Sequence, residues 1–348
     1  MLNASRTSPV ARLHGVRDVR AGTDAVPSPA AGQELVRVDA VGLCGSDLHW
    51  FTEAGIGDAR LVQPLIPGHE FAGVIEGGPR DGMPVAVDPA LPCRRCEVCV
   101  GGDHNLCPDV VFAGHGGVDG GLRRYIAWPS SALHPLPEPL SAADGAMLEP
   151  LGVALHALDL GHLRIGSTVA VIGAGPIGLL LVQAARRSGA GRVVVVEPLE
   201  HRRDAALRFG ADVALGSTEA GDDMLLAEAL SGAGARLGAD VVFEMAGSDS
   251  AVEAAVRAAR PGARVVLGGI PDGDRTSFQA STARRKGLTL VLVRRMNDAY
   301  PRAIRLVGEG LIDVSSIVTH RYRLDSVEEA FAVAADRRGL KVIVEPGS

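Results

Sequence analysis

The 348-residue sequence lacks an apolar run long enough and unbroken enough to cross a bilayer. Its longest candidate, residues 169–182, is interrupted by Gly173, Gly175, Pro176 and Gly178, and so reads as strand, turn and helix. Met1-Leu2-Asn3-Ala4-Ser5-Arg6 leads into no apolar segment, so no secretory signal is expected. A basic excess is also missing. Lys and Arg number 35 against 41 Asp and Glu, a net charge of −6, which leaves no electrostatic footprint for nucleic acid. Aromatics are scarce at 3%, yet hydrophobic residues reach 47% and charged ones 22%, the balance of a globular chain rather than a disordered one. Cysteine is sparse and odd in number. One of the five is Cys44, and the other four crowd between Cys93 and Cys107. That clustering argues against a disulfide scaffold and for metal ligation in a reducing cytoplasm.

What is present is organised around residues 44–70. The stretch opens Gly42-Leu43-Cys44-Gly45-Ser46-Asp47-Leu48-His49 and closes Pro67-Gly68-His69-Glu70. Cys44, His69 and Glu70 are a soft, a borderline and a hard ligand. Each can bind zinc, and three protein ligands leave a fourth position open for water or substrate. Farther on, Cys93, Cys96, Cys99 and Cys107 are spaced C-x2-C-x2-C-x7-C. Four thiolates close a tetrahedral zinc site, so this second site reads as structural.

The length suggests two domains. Residues 33–41 alternate apolar and polar as a half-buried strand does, and 71–76, 84–88 and 125–128 read as further short strands between Gly/Pro turns. The first part is therefore expected to be an antiparallel, barrel-like domain. Residues 114–121 are rich in glycine and are expected to form a mobile loop, with His115 a solvated loop histidine. Residues 142–160 carry helical spacing with Glu149-Pro150-Leu151 inside. Glu149 reads either as a functional carboxylate in an apolar setting or as a helix N-terminal acid favoured by the macrodipole.

From Thr168 the pattern changes. Thr168-Val169-Ala170-Val171-Ile172 is a continuous apolar run, as in a parallel strand buried on both faces. It leads into Gly173-Ala174-Gly175-Pro176-Ile177-Gly178, then a helix over 179–188, then a strand over 192–197 that ends in Glu197. This is the dinucleotide fingerprint in its required context: glycines for a tight turn and close approach of a pyrophosphate, and an acid for the ribose hydroxyls. Glu197 favours NAD over NADP, although Arg202 and Arg203 follow closely. Alternation continues through 207–214, 240–244, 250–259, 263–269 and 288–293, giving a doubly wound parallel sheet. Gly268 and Gly269, at a strand end, are expected near the nicotinamide half. Helices are expected over 300–308 and 325–335 and a last strand over 341–344, with the tail returning to complete the first domain.

Over nearly its whole length the chain resembles the zinc-dependent medium-chain dehydrogenase/reductases, and within them the sorbitol (polyol) dehydrogenase branch. The resemblance is carried by Cys44-Gly-Ser-Asp-x-His49, Gly68-His69-Glu70, the four-cysteine lobe, Glu149-Pro150-Leu151, the Gly173 fingerprint and Val318-Thr319-His320-Arg321. It implies an α/β fold. A GroES-like β-barrel catalytic domain would span 1–154, completed by 294–348, and a Rossmann NAD-binding domain 155–293. It implies two zincs per chain: one catalytic on Cys44, His69 and Glu70, the other structural on the four cysteines. Glu149 would hold the water on the catalytic zinc, Asp47 would orient His69, and Ser46 would bridge the substrate hydroxyl to a proton relay through the cofactor ribose and His49. Ile177, Glu197, Arg202 and Val293 would contact NAD. Trp50, Ile56, Phe112, Arg294 and Arg295 would lie at the substrate. A small-molecule alcohol, no nucleic acid, no membrane, a cytoplasmic setting and a homodimer or homotetramer are the implied partners and context. Taken alone, His49 reads as structural and Ser46 as a turn residue; beside the ligand pattern both read as functional.

Three departures bear on the substrate. The connection 77–84 is short, Trp50 stands where the branch often has tyrosine, and Arg295 stands where many members have an aromatic. The Arg294-Arg295 pair would face an anionic or highly hydroxylated substrate, or simply be solvated. The expected reaction is oxidation of a secondary alcohol of a polyol, sugar or cyclitol to a ketone, with hydride passing to NAD. Other substrates compatible with the residues are an amino-cyclitol, a vicinal diol such as butanediol, and threonine. A reading of another class is a redox-inactive, NAD-binding structural protein.

Overall fold

The computed structural model describes residues 6–216, 223–231 and 237–347. The chain forms two compact units, Met1–Glu149 with Tyr300–Ser348, and Pro150–Ala299.

The first unit is built on a seven-stranded sheet. Its path runs Leu133–Pro135, Pro84–Val87, Glu70–Ile75, Gln33–Gly42, Lys341–Glu345 and Val318–Arg323, and Tyr125–Pro129 also pairs with Gln33–Gly42. Only the last two strands of the path run parallel. The alternation of residues 33–41 puts Val36 and Val38 into a core with Phe71, Trp128 and Phe331, the inward half of a period-two pattern. A separate hairpin, Thr7–Gly15 with Asp18–Ala25, precedes the sheet. Gly42, at the end of the central strand, pairs with Glu70 on one side and Ile343 on the other. One end of the sheet thus collects the residue before Leu43-Cys44, the start of the Glu70 strand and the start of the last strand. The returning chain is pinned by Tyr300, which donates from its hydroxyl to the Val87 carbonyl at 2.7 Å and stacks on His134.

The expected helix over 142–160 is two helices, Ala142–Ala146 and Leu148–Gly161. Pro150 has no amide hydrogen, so it is accommodated in the first turn of a helix and not in its middle. The chain therefore breaks at Met147 and restarts, and Glu149 falls in the new first turn. The glycine-rich stretch 114–121 also differs from expectation. Its backbone is tied to the neighbouring segment: Gly120, Gly121 and Leu122 donate to the carbonyls of Ile66, Gly68 and Pro67.

The second unit is a six-stranded parallel sheet in the spatial order Val213–Leu215, Arg192–Val196, Thr168–Ile172, Ala239–Glu244, Ala259–Leu267, Thr289–Leu292. Numbered along the chain this is 3-2-1-4-5-6, the doubly wound order whose switch point lies at the first strand. That strand is buried at all five residues. The helix after it begins at Pro176 rather than Leu179, because proline suits a first helical position whose amide would have no partner. Residues 207–214 are not one element: the helix Glu200–Arg208 ends, Gly210 turns the chain at φ 110°, and the strand starts at Val213. Among the described residues no helix is long and apolar enough to cross a membrane.

Candidate functional site

Cys44 caps the helix Gly45–Glu53, and its backbone amide donates to Asp47 Oδ2 at 3.0 Å. The other oxygen of Asp47 accepts the Gly68 amide at 3.2 Å and lies 3.6 Å from His69 Nδ1. One buried carboxylate therefore sets the relative position of the Cys44 and Gly68-His69 segments, and it directs Nε2 of His69 away from itself. Burial alone would raise the Asp47 pKa, but His69 and the two backbone amides outweigh it and hold the group low. The converse holds for His69, where burial would lower the pKa and Asp47 and Cys44 push it well above the usual imidazole range.

The ligand atoms of Cys44, His69 and Glu70 all lie within 4.8 Å of one another. Glu70 is fully buried. Its Oε1 has no hydrogen-bond partner among the described residues, while Oε2 is ion-paired with Lys341 Nζ. A carboxylate oxygen stripped of water and left without a donor is costly. A cation between sulfur, imidazole and this oxygen removes that cost, and the donor set suits zinc. Gly42 makes room for the ion pair: a Cβ there would stand 2.1 Å from Glu70 Oε2 and 2.9 Å from Lys341 Cε.

Glu149 is 5% exposed and lies outside that ligand set. Burial pushes its pKa up to about 7, with His69 and Lys341 opposing and Glu70 and Asp88 adding to the rise. The place of Glu149 in a first turn is one the macrodipole favours, and its burial sets it apart from a surface acid. Lys341 was not legible as a site residue. Burial would lower its pKa, but Glu70, Cys44 and Glu149 hold it above the usual lysine value. The available signal was a lysine at the head of the apolar run Lys341-Val342-Ile343-Val344, since lysine is almost never buried unless paired.

Several of the other expected residues lie in the same unit. Ser46 is half-buried on the Cys44 helix. His49 Nδ1 lies 2.9 Å from Glu53 Oε1, one helical turn on. Ile56 is half-buried in the short strand Gly55–Ile56. The Phe112 ring lies 5.4 Å from the His69 ring. Trp50, expected at the substrate, is only 2% exposed and meets the His115 ring edge-on at 5.3 Å. Sequence reasoning left His115 to solvent; it is half-buried and also faces Phe112 at 6.4 Å.

Cys93, Cys96, Cys99 and Cys107 bring four sulfurs within 4.8 Å of one another. The Cys93, Cys96 and Cys99 amides donate to the sulfurs of Cys107, Cys93 and Cys96 at 3.3–3.5 Å. Such bonds favour thiolates. Backbone amides of Arg95 and Cys96 lead in holding Cys93 down to about 6, whereas burial pushes Cys99 up to about 12. A divalent cation is what four crowded sulfurs of this kind can share.

In the second unit the fingerprint glycines divide the work as the chemistry requires. Gly173 turns at φ 98°, and a Cβ on it would press on Ala246. At Gly178 a Cβ would stand 2.0 Å from the Gly173 carbonyl oxygen, so only glycine lets the helix pack there. Gly175 caps the helix Pro176–Arg187 and presents an open face, with Arg202 Nη1 3.9 Å from where its Cβ would be. Ile177 is half-buried in the first turn. The Glu197 carboxylate accepts the Ala174 amide at 2.7 Å and the Leu199 amide at 3.0 Å, so it braces the turn as well as standing beside it. Arg203 donates to the Glu197 and Pro198 carbonyls. Gly268 and Gly269 donate to the Glu244 carbonyl, and Val293 to that of Leu267. The Glu244 carboxylate in turn accepts the Ala246 and Gly247 amides. Beyond the edge strand, Arg294 is exposed and Arg295 is half-buried in a left-handed conformation, φ 56°.

Comparison with known proteins matches residues 176–309 to the zinc-binding dehydrogenase family and residues 30–138 to the alcohol dehydrogenase GroES-like domain. The chain is 34% identical over 342 residues to a sorbitol dehydrogenase of Bacillus subtilis, covering 96% of each. It is 37% identical over 341 residues to a probable D-xylulose reductase A of Arthroderma otae, covering 95% of each. Among solved structures, an alcohol dehydrogenase of Escherichia coli in complex with NADH superposes with a TM-score of 0.86 at 28% identity, over 97% of this chain and 99% of that one.

Proposed function

The chain belongs to the zinc-binding alcohol dehydrogenases, and from that premise we propose that it oxidises a secondary alcohol of a polyol, sugar or cyclitol to the ketone and passes the hydride to NAD. The observation that carries this reading is the Cys44, His69 and Glu70 donor set with its orphaned Glu70 oxygen, in a chain that also holds the Gly173 turn. The sorbitol and xylulose names of its relatives support the substrate class. The NADH-bound neighbour and the acid at Glu197 support the cofactor.

Zinc, when bound, supplies Lewis acidity that lowers the pKa of an alcohol, and NAD supplies the hydride acceptor. Cys44, His69 and Glu70 would hold the metal. Asp47 keeps His69 in one orientation and one tautomer, with the Nδ1 proton turned toward the carboxylate. Glu149, buried beside the donor set, would accept a hydrogen bond from the water or alcohol bound there. Ser46 receives the hydroxyl proton, and His49, steadied by Glu53, delivers it to solvent. The Cys93, Cys96, Cys99 and Cys107 lobe holds a second, structural zinc. Gly175 with the helix start at Pro176 receives the pyrophosphate, and Glu197 and Arg202 address the adenosine ribose, favouring NAD over NADP. Gly268, Gly269 and Val293 border the nicotinamide, and Ile56, Phe112, Arg294 and Arg295 contact the substrate. In this reading residues 1–154 and 294–348 carry the metal chemistry and 155–293 the cofactor.

The protein acts as a homodimer or homotetramer in the cytoplasm. The strand Thr289–Leu292 is the edge of its sheet, with Leu292 76% exposed. Such an edge left open invites uncontrolled pairing, which a two-fold partner strand prevents.

The deciding experiment is NAD+ reduction over a panel of polyols, cyclitols, diols and threonine, run on protein whose zinc has been counted. Two zincs per chain and turnover on the polyols is the expected result. Turnover that survives with the Cys44, His69 and Glu70 site metal-free overturns the mechanism.

A further inference from the structure

The glycine-rich stretch after Phe112 is a built support, and what it presents is His115. Gly116 and Gly117 both lie at positive φ, 60° and 83°, as the two-residue turn of a tight hairpin demands. Val118 donates to the His115 carbonyl and Gly114 to that of Val118. The far arm is bonded to Ile66, Pro67 and Gly68, the residues immediately before His69. Glycine is required where these strands meet, since a Cβ at Gly120 would stand 2.2 Å from the Gly68 carbonyl oxygen. The segment that delivers two metal ligands therefore also fixes the position of His115.

The imidazole is half-buried. Behind it stands the buried Trp50 ring, and beside it the Phe112 ring, which itself touches the His69 ring. His115 is thus one aromatic ring removed from a metal ligand, yet it belongs to neither donor cluster. An apolar ring face next to an oriented donor and acceptor is what a hydroxylated carbon chain needs: the C–H groups pack on the half-buried Phe112 ring and a hydroxyl bonds the imidazole.

We propose that His115 binds substrate, its imidazole hydrogen-bonding a hydroxyl of the polyol distal to the carbinol that reacts. The proposal rests on the polyol reading above and adds the residue that selects for a hydroxylated chain over a simple alcohol. His115 takes no part in hydride or proton transfer, so its effect falls on KM.

The test is steady-state kinetics with NAD+ on 2-butanol and on polyols of four to six carbons, using His115→Ala and His115→Asn with zinc content matched to wild type. Loss of one hydrogen bond of this kind raises KM for the polyols about tenfold relative to 2-butanol, with kcat little changed. His115→Asn, which keeps a donor and an acceptor, recovers most of the loss; should His115→Ala fail to fold, His115→Asn against His115→Leu carries the comparison. A wild type that discriminates and a variant that discriminates equally well overturns the proposal alone. A wild type that oxidises 2-butanol and no polyol overturns the polyol reading, and the proposal with it.

Discussion

Lys341, on the last strand of the chain, and Glu70, on a strand formed some 270 residues earlier, form an ion pair in which the two side chains are 2% and 1% exposed. Both charges have left water, and their mutual attraction, with Cys44 and Glu149 near Lys341 and the room left by Gly42, makes that tolerable. The pair links metal chemistry to the return of the C-terminal strand.

Breaking that pair strands a buried carboxylate. Lys341→Met is expected to cost zinc-free protein about 3–5 kcal/mol, measured by denaturant unfolding. Added zinc is expected to recover part of the loss, because the metal then compensates Glu70. An unfolding midpoint that does not move would contradict the account.

Asp47→Asn removes the charge that orients His69 while keeping the shape. Zinc affinity is expected to fall about 10- to 100-fold, read by competition with a chromogenic chelator, with the four-cysteine zinc retained.

Burial holds the Glu244 carboxyl above its ordinary value, against the pull of the Gly247 and Ala246 amides. An acid whose folded pKa exceeds its unfolded one is neutral in both states at low pH and contributes nothing there. It costs stability progressively as pH rises through the ordinary carboxylate range and beyond. Glu244→Gln keeps an oxygen for both amides and removes that cost. The variant is expected to melt higher than wild type at pH 8 and at the same temperature near pH 4, by calorimetry at the two pH values.

Gly178→Ala places a methyl on the Gly173 carbonyl. Overpacking of this kind costs about 1–3 kcal/mol. NADH binding, followed by fluorescence titration, is expected to weaken while zinc content stays at two per chain.

Cys99→Ser opens the structural lobe. One zinc per chain is expected to be lost and the melting temperature to fall, while the zinc on Cys44, His69 and Glu70 remains. Loss of both zincs together would show the two sites to be coupled.

The metal donors and the cofactor turn were legible because each is written in residue types whose chemistry is local. Cysteine, histidine and glutamate carry metal-donor atoms whatever their context, and the Gly173, Gly175 and Gly178 spacing expresses sterics within one turn. The long helix over 142–160 was misread because Pro150 was placed inside a helix rather than at a first turn. The stretch 114–121 was misread because glycine signals freedom in sequence, whereas here it permits close approach to Gly68. Trp50 was assigned to the substrate by position; packing adds that its ring is buried against His115.

By itself the sequence determined which side chains can donate to a metal, the spacing of the four-cysteine lobe, the alternation that buries Val36 and Val38, and the parallel-sheet fingerprint. Each follows from side-chain chemistry or from a period of two or a few residues. The tertiary structure alone decided that Lys341 meets Glu70, that Asp47 bonds both Cys44 and Gly68, and that His115 stands between Trp50 and Phe112. Those contacts depend on sheet register and on backbones brought together across long stretches of chain, and no local rule specifies which distant strand arrives beside which.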